Sequence, residues 1–431
     1  MRRLLIAACF AGAATTPLHA QQPGLAVPNG AAGDSLPLSR AQAIAQALAR
    51  NTQLDIAREQ TAQARARRVQ GVAIPDPSLT AATDEQSHFF GFNRGGTRPV
   101  EVGMAIPFPD KFRLQNRIGV ADIRANEQNY RLQQQLVAFD ASQAYDQLLL
   151  ALRRRSDLTE ALTLSQDFLK RTQARFDAGT AARVDVIKAR VEVAGSQNDL
   201  IANERDIANA QTTLNRAIGR VAFAPIVPTD SLDVPPPLPD SASAEVTALE
   251  DRPELAVLDQ QLRGQRANTS LTKEFWLPDI TFGITRDYLQ PNAAAFATGI
   301  AMPLPFLFWQ HTKGEIAESS HRERELEATY RDLRAQVVQD VRSAYATAST
   351  SMRQAVFLRD ELVPAARDAY RVASTSYQLG AASALEVIDA RRALLDAEAQ
   401  LAEALANANT ARADLERALG RIPFANGTQT R

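Results

Sequence analysis

Hydrophobic and polar residues alternate strictly in a few short segments of this chain and mix irregularly through much longer ones. Ile280 to Thr285 places large apolar residues at even positions and polar residues or glycine at odd ones, and Val100 to Ile106 repeats the pattern. Phe296 and Ile300-Ala-Met302 continue it, while Ser78 to Asp84 carries a weaker form. These segments predict strands. The long segments predict helices, most plainly where nothing stops one. From Phe112 to Ala178 the helical stretch runs 67 residues, with neither glycine nor proline between Val120 and Ala178. At ~1.5 Å per residue such a helix extends roughly 100 Å, too far for a compact globule. A second is expected from Thr312 to Leu379. Each ends at a tight glycine turn and is followed by a returning helix, over 183–218 and 384–419. Each is preceded by a shorter helix (about 38–70 and about 251–273), a Pro-Asp corner and two strands.

That symmetry is written residue by residue. Residues 175–220 align without a gap on 376–421, at a constant offset of 201. Gly179-Thr-Ala-Ala-Arg-Val-Asp185 answers Gly380-Ala-Ala-Ser-Ala-Leu-Glu386, and Leu214 to Arg220 answers Leu415 to Arg421. Upstream, Gly103 to Pro109 answers Gly299 to Pro305, Ala144-Tyr145 answers Ala344-Tyr345, and Ile74-Pro-Asp76 answers Leu277-Pro-Asp279. The order is kept while the offset drifts between 196 and 203. Chance likeness between helices would not keep that order, so the chain is two copies of one unit. The expected organisation is an exported leader over 1–20, an extension over 21–37, a first unit over 38–220 and a second over 251–421. Between them, 221–250 is a linker whose prolines exclude regular helix up to Val246, crossing the outside of a tube at mid-height. A polar, disordered tail, 422–431, closes the chain.

The strands decide what kind of tube this is. Alternation suits a wall with lipid on one side and water on the other, although a soluble hairpin with one wet face would show it too. Glu85 to Arg98 and Asp287 to Ala295 are the loops expected at the outer face. Four strands cannot close a barrel, and open edges are not tolerated in lipid, so the chain must assemble with copies of itself. Two copies give eight strands and a lumen filled by side chains. Three give twelve and an open pore.

Composition narrows the compartment and the chemistry. Arg2 and Arg3, the apolar Leu4 to Ala14 and the small-residue site before Gln21 form a secretory leader, too short to span a bilayer. The only cysteine, Cys9, lies inside it. A lipidation site there would leave an implausibly short leader, and without Cys9 the mature chain has no disulfide or cysteine metal site. The formal net charge is −1 for the whole chain, which offers no basic surface to nucleic acid. No membrane-length apolar run follows Gln21, so a membrane crossing must use strands. His88, His311 and His321 are scattered rather than set at ligand spacing, and Arg153-Arg154-Arg155 reads as a solvated face. No nucleophile, base and orienting group appear together, so neither an enzyme nor a cofactor is expected.

The duplicated plan and its signature, Tyr377-Gln-Leu-Gly380 running on to Leu385-Glu-Val-Ile-Asp389-Ala, resemble the TolC-like outer-membrane efflux proteins over about 36–421. Ile106-Pro-Phe-Pro-Asp-Lys-Phe112, Met302-Pro-Leu-Pro305 and Gly314-Glu-Ile-Ala-Glu318 look most like the cobalt-zinc-cadmium branch. The resemblance implies a mainly α fold with a small β part. It would form a homotrimer whose 12-stranded barrel sits in outer-membrane lipid and continues into a periplasmic α-helical barrel. It also implies a periplasmic membrane-fusion adaptor and an inner-membrane efflux pump as partners.

The same resemblance places an acidic gate just after the second glycine turn, at Glu386 and Asp389. The matching positions of the first unit are Asp185 and Lys188. Tyr377 fits the closing network, but the family's basic partner in the turn is absent, since Ala382 occupies its place. Three copies of Glu386 and Asp389 around an axis would attract cations and raise one another's pKa values. An ordinary acidic helix start is the alternative. The turns themselves, with Gly179, Thr180 and Ala181 in one unit and Gly380, Ala381 and Ala382 in the other, are the expected adaptor-docking tips. The cargo stays open among metal cations, drugs and polypeptides. A soluble coiled-coil adaptor or an envelope filament is the reading from another class, but neither needs alternating strands.

Overall fold

The computed structural model describes residues 36–81, 99–221, 224–277, 279–287, 294–301 and 305–424. The leader, most of the extension, most of both outer loops and the end of the tail lie outside the described residues. Each unit begins with a helix pair: α1 (Arg40–Arg50) and α2 (Thr52–Val72) in the first, α5 (Ser241–Asp251) and α6 (Pro253–Lys273) in the second. The single helix expected over 38–70 is therefore two. Asn51 ends one and caps the next through Gln53 N–H (2.9 Å), and its amide donates to the carbonyl of Ala217 (3.0 Å). In the second unit Arg252 stands at the same place and its Nε donates to the carbonyl of Ala418 (2.9 Å). Both pairs keep the offset of 201, so the break is part of the duplicated unit.

That break also corrects the linker. Regular helix begins at Ser241, inside the segment expected to be free of it, because the last linker proline is Pro239 and Asp240 caps the next helix through Ser243 N–H (3.2 Å). What remains of the linker carries β4 (Ile226–Pro228). It pairs in parallel with β1 (Leu36–Leu38), which falls at the end of the expected N-terminal extension.

Four strands form one antiparallel sheet in the order β2 (Ser78–Ala81), β3 (Pro99–Ile106), β5 (Asp279–Asp287), β6 (Ala294–Ala301). The weak Ser78 segment is a strand after all, with Ser78 Oγ donating to the carbonyl of Gly103 (3.2 Å). The register pairs Leu79 with Val102, Val102 with Ile284, Met104 with Phe282 and Ile106 with Ile280. Successive residues point to opposite faces, so this register collects the large apolar positions on one face. Val102, Phe282 and Ile284 stay 46–53% exposed there, an apolar wall left open among the described residues. Outer strands β2 and β6 each leave one edge unpaired within this sheet.

From the sheet run two long helical arms. One is α3 (Pro109–Asp177, 69 residues). The other is α7 (Pro305–Phe357), a π-turn over Leu358–Leu362, and α8 (Val363–Gln378). The returning helices are α4 (Arg183–Ala217) and α9 (Ala384–Ala418). Much of the buried surface between arms is alanine: Ala138, Ala141, Ala144, Ala397, Ala404 and Ala408 are at most 5% exposed. Such small side chains allow helix axes to approach closely.

At mid-height α1, β1, β4 and Ile422 and Phe424 of the tail pack on α3 and α9, so the start of the expected tail is held in place. Tyr145 Oη donates to the carbonyl of Leu38 (2.9 Å), and Arg40 pairs with Asp146 while its guanidinium covers the ring of Phe424 at 4.6 Å. Burial pushes the Asp146 carboxyl up to about 6 despite the opposing charge of Arg40. An unfolded aspartate titrates near ~3.9. Between those values the fold keeps a proton that the unfolded chain has released, so stability is lost as pH rises through that window and levels off above it. Asp146→Asn removes this dependence. Its stability relative to the parent is expected to change by roughly 2 kcal/mol between pH 4 and 7 in unfolding measurements on solubilised protein. An unchanged difference across that range contradicts the assignment.

Candidate functional site at the helical tips

Both long arms end in the same backbone device. Gly179 and Gly380 take φ of 74° and 78°, and the next N–H reaches back to close each helix, from Thr180 to Arg175 and from Ala381 to Ser376 (both 2.8 Å). A side chain at either glycine would be strained, since the left-handed conformation crowds Cβ. Gly179, Thr180, Gly380 and Ala381 are exposed, whereas Ala181 and Ala382 are half-buried. Ala382 packs against a small core of Phe168, Ala189, Tyr377, Ala384, Val387 and Ile388.

The four expected closing residues sit in different settings. Glu386 and Asp389 are both exposed on α9. Glu386, however, completes a capping box: its N–H donates to Ser383 Oγ (3.3 Å), and its carboxylate accepts from Ser383 Oγ (3.0 Å) and Ser383 N–H (3.4 Å). It therefore holds the start of α9 whatever else it does. Asp185 is half-buried in the first turn of α4, which has no side-chain cap of its own.

Tyr377 is buried (4% exposed), and its hydroxyl donates to Thr172 Oγ1 (3.3 Å) while its ring lies 5.4 Å from that of Phe168. Its basic partner comes from the other unit. The Arg175 guanidinium stacks on the Tyr377 ring at 4.5 Å, donates to the Tyr377 carbonyl, and donates to Thr180 O (3.4 Å). Arg175 thus ties the first tip to the second. The second turn itself holds no basic residue, so the partner of Tyr377 was not legible from that turn. The available signal was the repeat itself, which puts Arg175 opposite Ser376.

Above the tip, Arg391 is the second residue whose role the sequence alone did not disclose. It is 4% exposed, pairs with Glu192 on α4, and donates to Ser196 Oγ (3.3 Å) and the Ala161 carbonyl (3.4 Å). Arg392 shares Glu192 from the exposed side. The equivalent of Arg391 in the first unit, Arg190, is exposed. An arginine repeated at the same place hinted at a role, but only the fold tells which copy turns inward. Higher again, Arg367 meets the buried carboxylate of Glu398 (2.6 Å). Burial raises the Asp157 carboxyl, and the Arg153 charge opposes the rise. Among the described residues no group of three or more His, Cys, Asp or Glu side chains could hold a metal ion. The arrangement is a pair of helical hairpins pinned to each other by arginines, with exposed acids and small residues at the end.

Comparison with known proteins agrees with this architecture. The outer membrane efflux protein family matches residues 41–220 and 246–421, one match to each unit. The cobalt-zinc-cadmium resistance protein CzcC of Cupriavidus metallidurans is 24% identical over 405 residues, spanning 91% of this chain and 92% of that protein. Among solved structures, the outer-membrane channel OprN superposes with a TM-score of 0.75 at 19% identity, covering 88% of this chain and 89% of that one. The transmembrane channel CusC superposes with a TM-score of 0.74 at 21% identity, covering 90% and 94%. With both units matched, this chain belongs to the outer membrane efflux protein family.

Proposed function

We infer that three copies of this outer-membrane efflux protein close one barrel and one helical tunnel, and that the tunnel passes heavy-metal cations from an inner-membrane pump and its periplasmic adaptor. The observation that carries the assembly is the sheet, with an apolar face and two edges left unpaired among the described residues. A second feature supports it below the membrane. Val184, Ile187, Val191 and Ile201 on α4 are more than half exposed at spacings near the heptad repeat, as are Val372 on α8 and Leu379 at its C-cap. Such stripes suit packing of one copy's helices on the next. The metal cargo is supported by the likeness to CzcC, and the exposed carboxylates of Glu386 and Asp389 suit a cationic passenger. With no ligand cluster among the described residues, the choice of metal falls to the pump.

The gate reading places Glu386 and Asp389 around the axis, with Asp185 alongside and Tyr377 beneath. Replacing both acids with alanine is expected to raise the conductance of trimers in planar bilayers and lower their cation preference, while Asp199→Ala changes neither. Arg175→Met leaves the acids in place but unpins the hairpins, so it is expected to raise open probability without altering ion preference. Parent-like conductance and selectivity in the double alanine variant would show that the two acids only start a helix. In that variant the lost capping box costs about 1 kcal/mol, too little to dismantle the tip.

Adaptor docking is placed at the two turns. Ala382 faces the tip core, so a bulky residue there would disturb the fold, and Thr180 and Ala381 are the cleaner positions. Thr180→Trp with Ala381→Trp is expected to abolish export and adaptor capture while barrel and trimer persist. Normal metal resistance in cells carrying that variant contradicts the placement.

A further inference from the structure

The two arms of the fold are copies of one another, yet one has a joint that the other lacks. Ala144-Tyr145 answers Ala344-Tyr345 at an offset of 200, and from Arg175 and Ser376 onward the offset is 201. One residue has therefore been added between 345 and 376. The π-turn over Leu358–Leu362 lies inside that interval, with Val363 N–H donating to the Leu358 carbonyl five residues back. A π-turn is how a helix absorbs an extra residue without losing phase. The burial pattern agrees: Ala355, Leu358 and Val363 all enter the mid-height core at 0%, 5% and 8% exposure, with a step of five where an α-helix would take four. Pro364 follows at once. It has no N–H to give, and in a regular α-helix its ring would strike the Asp360 carbonyl. The ladder is thus weakened on the face where Arg359, Asp360, Glu361 and Pro364 are exposed. Level with it, α3 passes through Leu158 to Ala161 as unbroken α-helix.

We propose that the π-turn at Leu358–Leu362 is the hinge on which the second tip moves, with α3 as the fixed strut beside it. The proposal rests on the reading of the tip as the gate. Leu358 and Val363 anchor the joint to the mid-height core, and below it α8 runs to Gln378 and its C-cap Leu379, on the order of 25 Å away. A bend of about 10° at the joint carries the second turn about 4 Å sideways over that length. The partner helix α9 has no break. A smooth curve of radius ~60–100 Å, ordinary for long helices, displaces its end by a similar amount over the same length. Three contacts bear on the motion differently. Arg367 and Glu398 bind α8 to α9, so the hairpin travels as a unit. Arg391 ties α9 to the first unit about 10 Å from the start of that helix, so this tie must part as well before α9 can curve over the full length. Arg175 on Tyr377 is the contact at the end that must part.

Deleting Asp360 together with Pro364→Ala removes the extra residue and restores an unbroken ladder, with helix phase unchanged on both sides. Hydrogen exchange on the purified full-length assembly in lipid nanodiscs is the first measurement. In the parent, amides of 358–363 are expected to exchange at least tenfold faster than those of 158–161, and in the deletion variant to come within about twofold of them. Single-channel recording is the second, with opening frequency expected to fall several-fold in the variant. Pro364→Ala alone keeps the extra residue and gives a smaller change in the same direction, which serves if the deletion does not fold. Equal exchange of the two segments in the parent overturns the proposal, as does an opening frequency that the deletion leaves unchanged. The gate residues are tested separately: fast exchange at 358–363 that the deletion slows, in a channel indifferent to Glu386 and Asp389, keeps the hinge and discards the gate.

Discussion

Backbone N–H and C=O groups cannot be left unpaired in hydrocarbon, where each costs several kcal/mol, and the rest of this structure depends on that constraint. The chain supplies one sheet of four strands with an apolar face and two open edges. Water could cover the edges, but lipid cannot. Copies placed edge to edge satisfy every strand and close a wall, and the helices that leave the strands are then already arranged in a ring. A ring of helices around an empty axis has no central core to stabilise it. Its stability has to come from contacts between neighbouring helices, and this explains the alanine-rich seams between α3, α4 and α9 and the arginine pins that cross them.

Duplication explains the upper half of the molecule, and departures from it explain the lower half. Near mid-height the two units use the same bonds at equivalent positions: Asn51 on Ala217 answers Arg252 on Ala418. Toward the tip they diverge. Only the second unit has the π-turn, only it starts its returning helix with a capping box, and only its Arg391 turns inward. Arg175 has no equivalent, since its counterpart is Ser376. Symmetric architecture makes the tube, while these differences pin the second hairpin against the first.

Much of this was legible in the sequence. A helix of 69 residues announces itself by the lack of any glycine or proline from Val120 onward, and strand alternation that pairs apolar with apolar positions needs only the correct register to become a wall. Less legible were features set by contact rather than composition. The break at Asn51 is invisible to breaker counting because asparagine is no strong helix breaker; it matters through its bond to Ala217, 166 residues away. Helix α5 was hidden by the prolines that precede it. Glu386 showed its charge but not its bond to Ser383, which needs both residues at one helix start. Arg175 and Arg391 look like any other arginine on an amphipathic helix until their neighbours from the other unit are in place. The one-residue step in the repeat offset was readable all along, but its meaning required a turn that takes up one extra residue.

The most direct measurement of the account is the mass of the assembly extracted from outer membranes in mild detergent, read by native mass spectrometry. Strands that can be satisfied only by neighbours predict a particle of three mature chains, with no folded single chain once detergent is removed. A folded monomer that stays soluble without detergent would mean that the apolar sheet face and its edges are covered within one chain, and would contradict the account.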